Sequence, residues 1–79
     1  MFKWKRKVIG NRVEYKLVLE VDETEVIGSV MATEEVDGWK VEAEYKEIGY
    51  KGLLEHVDKK KLNIIISDLK NLFENNLKK

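Results

Sequence analysis

The chain has 79 residues, 43% hydrophobic and 38% charged, and its fifteen basic and fifteen acidic residues cancel to a net charge of zero. This length fits one domain, which buries only about 60% of its unfolded surface, and the composition excludes a disordered chain. The absence of cysteine excludes disulfides, thiolate nucleophiles and cysteine metal sites, and no apolar run approaches the roughly 20 residues that a membrane-spanning helix needs.

Met-Phe-Lys-Trp-Lys-Arg-Lys runs straight into an alternating strand over about residues 2–9 rather than into a signal-peptide core. An intracellular, cytoplasmic location is therefore the simpler expectation. Gly10-Asn11 follows and suits a primed two-residue turn. Such a loop pairs Val8 with Val13, Arg6 with Tyr15, Trp4 with Leu17 and Phe2 with Leu19 in a second strand over about 12–21. Side chains alternate with period two, so these pairs share one sheet face. Lys7 opposite Glu14 is an opposite-charge pair on the other face.

Glu23-Thr24 is the next turn signal and the weakest, because a longer loop also fits there. As a two-residue loop it pairs Val21 with Val26, Leu19 with Gly28, Leu17 with Val30 and Tyr15 with Ala32. The third strand then covers about 26–34. Asp37-Gly38 suits a type I′ turn, which needs positive φ at both central residues. It pairs Val36 with Trp39, Ala32 with Ala43, Val30 with Tyr45 and Glu35 with Lys40, and leads into a fourth strand over about 39–48. Residues 49–57, with Gly49, Tyr50, Gly52, Leu53 and Leu54, read as a connection that could hold a short helical turn. The period then changes. Leu62, Ile65, Ile66, Leu69, Leu72, Phe73 and Leu77 recur at three- and four-residue steps, one apolar stripe of a helix over about 58–77. Asp58 suits its N-cap, and Lys78 and Lys79 favour the negative end of its dipole. The expected fold is α+β: a four-stranded antiparallel meander in order 1-2-3-4 with one C-terminal helix packed on one face.

The neutral total hides segregated charge. Residues 1–16 carry six cations against Glu14, or +5; residues 17–44 carry nine acids against Lys40, or −8; residues 45–79 carry eight lysines against five acids, or +3. Three surfaces could use this arrangement. The first strand presents Lys3, Lys5 and Lys7, with Lys16 beside them, and Phe2 and Trp4 interleave. Basic residues with stacking aromatics are what single-stranded nucleic-acid binders use. The register instead puts Phe2 and Trp4 under the helix, and lysines along an edge strand guard against aggregation. The order of four strands and a helix is shared with some single-stranded nucleic-acid modules, an analogy of fold alone.

The second surface is the pair of acidic turns, Asp22-Glu23-Thr24-Glu25 and Glu34-Glu35-Val36-Asp37. Their carboxylates could meet a basic protein surface or imitate a phosphate backbone, and they equally keep exposed turns soluble. Their spacing matches no calcium loop. The third is an outer-face apolar set: Val18, Ile27 and Ile48 as neighbours, with Met31 and Ile9 further off. Such a patch marks an interface unless Tyr50, Leu53 or Leu54 covers it. The fourth strand is the less guarded edge, which offers strand pairing with a second copy.

His56 is the only histidine, with Glu55 and Asp58 as its near carboxylates in sequence. No hydroxyl has an evident base beside it and no glycine loop suits a phosphate, so catalysis is not expected, and no cofactor, metal or small-molecule substrate is implied. The expectation is a small non-enzymatic binding protein acting through protein–protein contact, as a homodimer, inhibitor or adaptor. Interface candidates are Val18, Ile27, Met31, Ile48, Glu23, Glu25, Glu34, Glu35 and Asp37. The alternative is a single-stranded nucleic-acid module using Lys3, Lys5, Lys7 and Lys16. Heavy lysine and asparagine use in the last third is compatible with a phage or mobile-element origin, and the Ile64-Ile65-Ile66 run and Asn75-Asn76 pair argue against a designed helix.

Overall fold

The computed structural model describes residues 1–77. Five strands, β1 (Phe2–Ile9), β2 (Arg12–Leu19), β3 (Val26–Glu35), β4 (Gly38–Tyr45) and β5 (Tyr50–Val57), form one antiparallel sheet in the order β1-β2-β3-β4-β5. A C-terminal helix, α1 (Lys59–Leu77), packs on one face. The α+β class, the antiparallel sheet and the single C-terminal helix agree with the sequence. The strand count does not: the segment read as a connection is a fifth strand.

The first hairpin has the expected register throughout, from Phe2 opposite Leu19 to Val8 opposite Val13, with Lys7 opposite Glu14. Gly10 alone takes a positive φ, +57°, the requirement of a type II′ turn at its first central residue. The next two hairpins are each displaced by two residues. Leu17 faces Gly28 and Tyr15 faces Val30. The chain crosses there through a longer loop, residues 20–25, because Asp22 organises it: its carboxylate accepts the Thr24 N–H at 3.1 Å and the Thr24 hydroxyl, and its carbonyl accepts the Glu25 N–H at 3.1 Å. At the third hairpin the turn is Val36-Asp37, and Gly38, at φ +133°, is the first residue of β4. Val30 therefore faces Ala43, and Glu34 faces Trp39. The expected Glu35–Lys40 pair does not form: Lys40 lies opposite Thr33, and its ammonium meets Glu42 at 3.3 Å. A displacement of two keeps side chains on their faces, so most of the core was assigned correctly by a register that was not; the exception is the start of β3, where a bulge turns Ile27 toward the core in place of Val26.

The fifth strand returns through a single 3₁₀ turn, Lys46–Ile48, closed by Gly49 at φ +68° with its N–H on the Lys46 carbonyl at 3.2 Å. Tyr45 then faces Tyr50, Ala43 faces Gly52 and Val41 faces Leu54. Between Leu54 and Val57 the pairing shifts by one residue, where His56 takes φ +57°. This bulge turns Val57 back into the core.

Asp58 caps α1 by accepting the Lys60 N–H at 2.8 Å. Lys78 and Lys79 lie outside the described residues. The helical stripe buries Leu62, Ile66 and Phe73 against Leu17, Val30, Ala32, Val41, Ala43, Tyr45 and Val57. Ile65, Leu69 and Leu77 flank this core, whereas Leu72, expected in the stripe, is exposed. Phe73 is the centre, 1% exposed, with ring centroids 5.1 Å from Tyr45, 6.1 Å from Tyr50 and 6.3 Å from Trp4. Gly28 lets it approach: a Cβ there would lie 3.1 Å from the Phe73 ring and 3.2 Å from the Glu44 carbonyl oxygen.

Candidate protein interface

The outer face of the sheet, away from α1, carries the charges. On its β1 side the basic strand and the first acidic loop come together. Glu23 reaches back across the sheet, and its carboxylate oxygens meet Lys3 Nζ at 2.6 Å and Lys5 Nζ at 2.7 Å. The two ammonium groups hold the Glu23 carboxyl far below the usual glutamate range, at about 2. Two residues assigned to different surfaces by sequence thus neutralise one another. Lys7 and Lys16 remain exposed, with Lys16 directly opposite Lys5.

The same loop closes over Val18. This residue was expected in an exposed outer patch and is instead 0% exposed. It sits where β3 bulges at Ile27 to place Val26 opposite it, in a cleft walled by Lys5, Lys16, Glu23 and Thr24. Ile27 and Met31 are half-buried, and Ile27 packs against the core cluster. Ile48 and, at the far end of β1, Ile9 are the exposed members of the named set. The outer apolar patch therefore does not exist as a contiguous surface around Val18.

Trp4 answers the question of the basic strand's aromatics. Its ring stacks with Phe73 at an interplanar angle of 16°, its indole N–H donates to Glu74 at 2.8 Å, and Lys70 Nζ lies 5.3 Å from the ring centroid. It is committed to the helix and cannot stack on bases. Phe2 is partly exposed at the edge of the same cluster, beside Leu77.

The two acidic turns lie at opposite ends of β3, a ten-residue strand spanning about 33 Å, so they form no joint surface. Asp37 pairs with His56 Nδ1 at 2.9 Å, both side chains being exposed. This fastens the β3–β4 turn to the β5 bulge, and it replaces the sequence neighbours as the histidine's closest carboxylate. Glu34 joins through its backbone: its carbonyl accepts the Asn11 side-chain amide at 2.7 Å, and its N–H donates to the Asn11 carbonyl at 2.8 Å. Glu25 and Glu35 are exposed, and among the described residues no salt bridge engages them.

The feature that the sequence did not disclose is the β5 edge. This strand pairs only with β4, and its outward-running backbone groups have no strand beside them. Leu53 is 58% exposed and Leu54 47%. They stand on opposite faces of the strand, and Ile48 projects from the adjoining turn, also exposed. On the helix side a cavity of about 200 Å³ opens among Val41, Ala43, Tyr50, Gly52, Leu54 and Leu69. Tyr50 folds over Gly52 at the edge of this gap: a Cβ there would lie 2.9 Å from the Tyr50 hydroxyl. The period-two signal of β5 is interrupted by that glycine and by the bulge, which hid the strand. The recoverable hint was that Tyr50, Gly52 and Leu54 alternate with Lys51, Leu53 and Glu55.

Among the described residues no group of three histidine, cysteine or carboxylate side chains is placed to hold a metal ion, and no helix is long and apolar enough to cross a membrane. No protein-family model, curated protein or solved structure matches the chain.

Proposed function

We propose that this is a small non-enzymatic binding protein that acts through protein–protein contact, and that β5 is its contact edge. The observation that carries the reading is the contrast between the sheet's two edges. β1 is lined by Lys3, Lys5, Arg6 and Lys7, the charged guard that native sheets use against unwanted pairing. β5 is an open edge with leucine exposed on both faces. Exposed backbone donors and acceptors flanked by apolar side chains are the elements of β-augmentation, in which a partner adds a strand and its side chains give specificity.

Nucleic-acid binding is the weaker alternative. Lys3 and Lys5 are held by Glu23, Trp4 is half-buried and stacked against Phe73 of α1, and only Lys7 and Lys16 of the four candidate lysines lack such a partner among the described residues. A photocrosslinking side chain placed at Leu53 or at Lys5 separates the two readings. Protein adducts from position 53, with none from position 5, are the expected result. Nucleic-acid adducts from position 5 and none from position 53 would overturn the reading.

A further inference from the structure

From the charge and shape of β5 we infer that its partner is a second copy of the chain, joined edge to edge through a two-fold axis at Leu53 into one continuous ten-stranded sheet. This rests on the reading of β5 as the contact edge and adds its occupant. In an antiparallel pair, residues directly opposite share a face. A continuous sheet therefore requires that outer-face residues of one β5 meet outer-face residues of the other. Lys51 and Leu53 lie on the outer row of β5, opposite Glu44 and Glu42, and alternation past Leu54 carries that row on to Glu55, the last residue before the bulge at His56.

With the axis at Leu53, Leu53 meets its own copy and Lys51 meets Glu55 of the partner, twice. The neighbouring registers with the same facing put Leu53 opposite Lys51 or opposite Glu55, so they bury an aliphatic side chain against a charge and lose the pairs. The row is complementary to itself in one register. Lys51 has the reach to take part: its side chain is 80% exposed, and its pair with Glu44 of β4 is long, at 4.0 Å. On the helix side, the axis at Leu53 brings Leu54 of each copy opposite Gly52 of the other. Leu54 is 47% exposed at the mouth of the apolar cavity, so each leucine packs across the two-fold axis beside the partner's Gly52 and the Tyr50 ring that covers it. The contact is made twice, as an isologous interface requires.

The same test excludes β1 as a self-pairing edge. Its outer row is Lys3, Lys5, Lys7 and Ile9, so every antiparallel self-pairing that keeps the sheet continuous and aligns three or more outer residues a side sets lysine against lysine. The bulge at His56 ends the regular part of β5, which limits the pairing to about five residues a side. Such a small interface gives a weak dimer, with a dissociation constant of roughly 10–100 µM.

Sedimentation equilibrium between about 10 µM and 1 mM protein reads the association over that range. A monomer–dimer equilibrium is expected for the parent. Lys51→Glu and Glu55→Lys should each weaken it about tenfold, because both copies then oppose like charges at two places. The double variant Lys51→Glu/Glu55→Lys restores the opposite pairs and should return to within about threefold of the parent. Leu53→Lys, which places two lysines on the axis at an already exposed position, should abolish association with the circular dichroism spectrum unchanged. A parent that stays monomeric at every concentration overturns the inference, and so does a dimer whose double variant is no stronger than the single ones. Crosslinking from position 53 to a different protein, with a monomeric parent, would overturn the second copy alone and keep β5 as the contact edge; failure of both would remove the edge as well.

Discussion

At the scale of single residues, the clearest consequence concerns Glu23. Its carboxyl is lowered from the ordinary 4.5 to about 2 by Lys3 and Lys5. A depressed carboxylate stabilises the folded chain above its unfolded pKa, and that contribution is lost as pH falls from about 4.5 through about 2. Carbon-detected NMR titration of the Glu23 carboxyl should therefore show a midpoint near 2, and the double variant Lys3→Met/Lys5→Met should move it back toward 4.5. A parent midpoint at 4.5 would mean that the 20–25 loop is not fastened to β1. Gly38 gives the second consequence. At φ +133° it adopts backbone that L side chains rarely take, and a Cβ there would lie 3.0 Å from the His56 carbonyl carbon and 3.1 Å from the Val57 carbonyl oxygen. Both strain and backbone collision act in the same direction, so Gly38→Ala should cost about 2–3 kcal/mol in chemical denaturation. An alanine variant as stable as the parent would contradict the close approach of the β3–β4 turn to the β5 bulge. The sequence marked Gly38 as a turn residue correctly, but as the second central residue of a type I′ turn. The dipeptide Asp-Gly announces that positive φ is needed, not which residues complete the loop.

At the scale of elements, the helix is held through one ring. Phe73 touches Trp4 of β1, Tyr45 of β4 and Tyr50 of β5, and closes over Gly28 of β3. Four of five strands therefore meet α1 at one side chain. A chain of this size is stabilised by about 4–12 kcal/mol in all, and Phe→Ala in a core costs about 3–5 kcal/mol. Phe73→Ala should accordingly remove about a quarter or more of that stability, seen as loss of the near-ultraviolet circular dichroism of the tryptophans at a much lower denaturant concentration than in the parent. Gly28→Ala presses on the same ring and on the rigid Glu44 carbonyl, and should cost about 1–3 kcal/mol by overpacking. An unchanged denaturation midpoint in Gly28→Ala would place the ring further from the sheet. Most of the stripe of α1, the first hairpin and the faces of β2, β3 and β4 were legible because each rests on a local period; the exceptions are Val26 and Ile27, which the β3 bulge exchanges between faces. The two-residue displacements were not legible, because a shift by two leaves that period intact and is decided by loop chemistry alone. β5 was missed for the opposite reason: Gly52 and the His56 bulge break the period of a strand that exists. The open sheet edge went with it, since an edge belongs to whichever strand is last.

At the scale of the whole molecule, the neutral total is made of regions that cancel partly by contact. The basic first segment and the acidic second one do not face separate partners: Glu23 spans from the end of β2 back to β1, and the outer face there becomes a closed ion-pair cluster rather than an open cationic stripe. The field that would draw a polyanion is correspondingly reduced. This gives a prediction about the alternative function that does not depend on β5. Each phosphate contact made to a single strand adds about −0.7 to the slope of log affinity against log salt. Glu23→Gln frees Lys3 and Lys5 to join Lys7 and Lys16, so up to four lysines face one way on adjoining strands. Fluorescence anisotropy with a mixed-sequence single-stranded oligonucleotide should detect little binding by the parent at about 0.1 M salt, where surface charges more than about 10 Å apart are screened. The Glu23→Gln variant should bind measurably at lower salt, with a slope steeper than the parent's by about 1.4, two additional contacts. If the parent itself binds tightly, with a steep slope that Lys7→Glu and Lys16→Glu abolish, then Glu23 orders the basic strand rather than occupying it, and β1 takes the place of β5 as the functional edge.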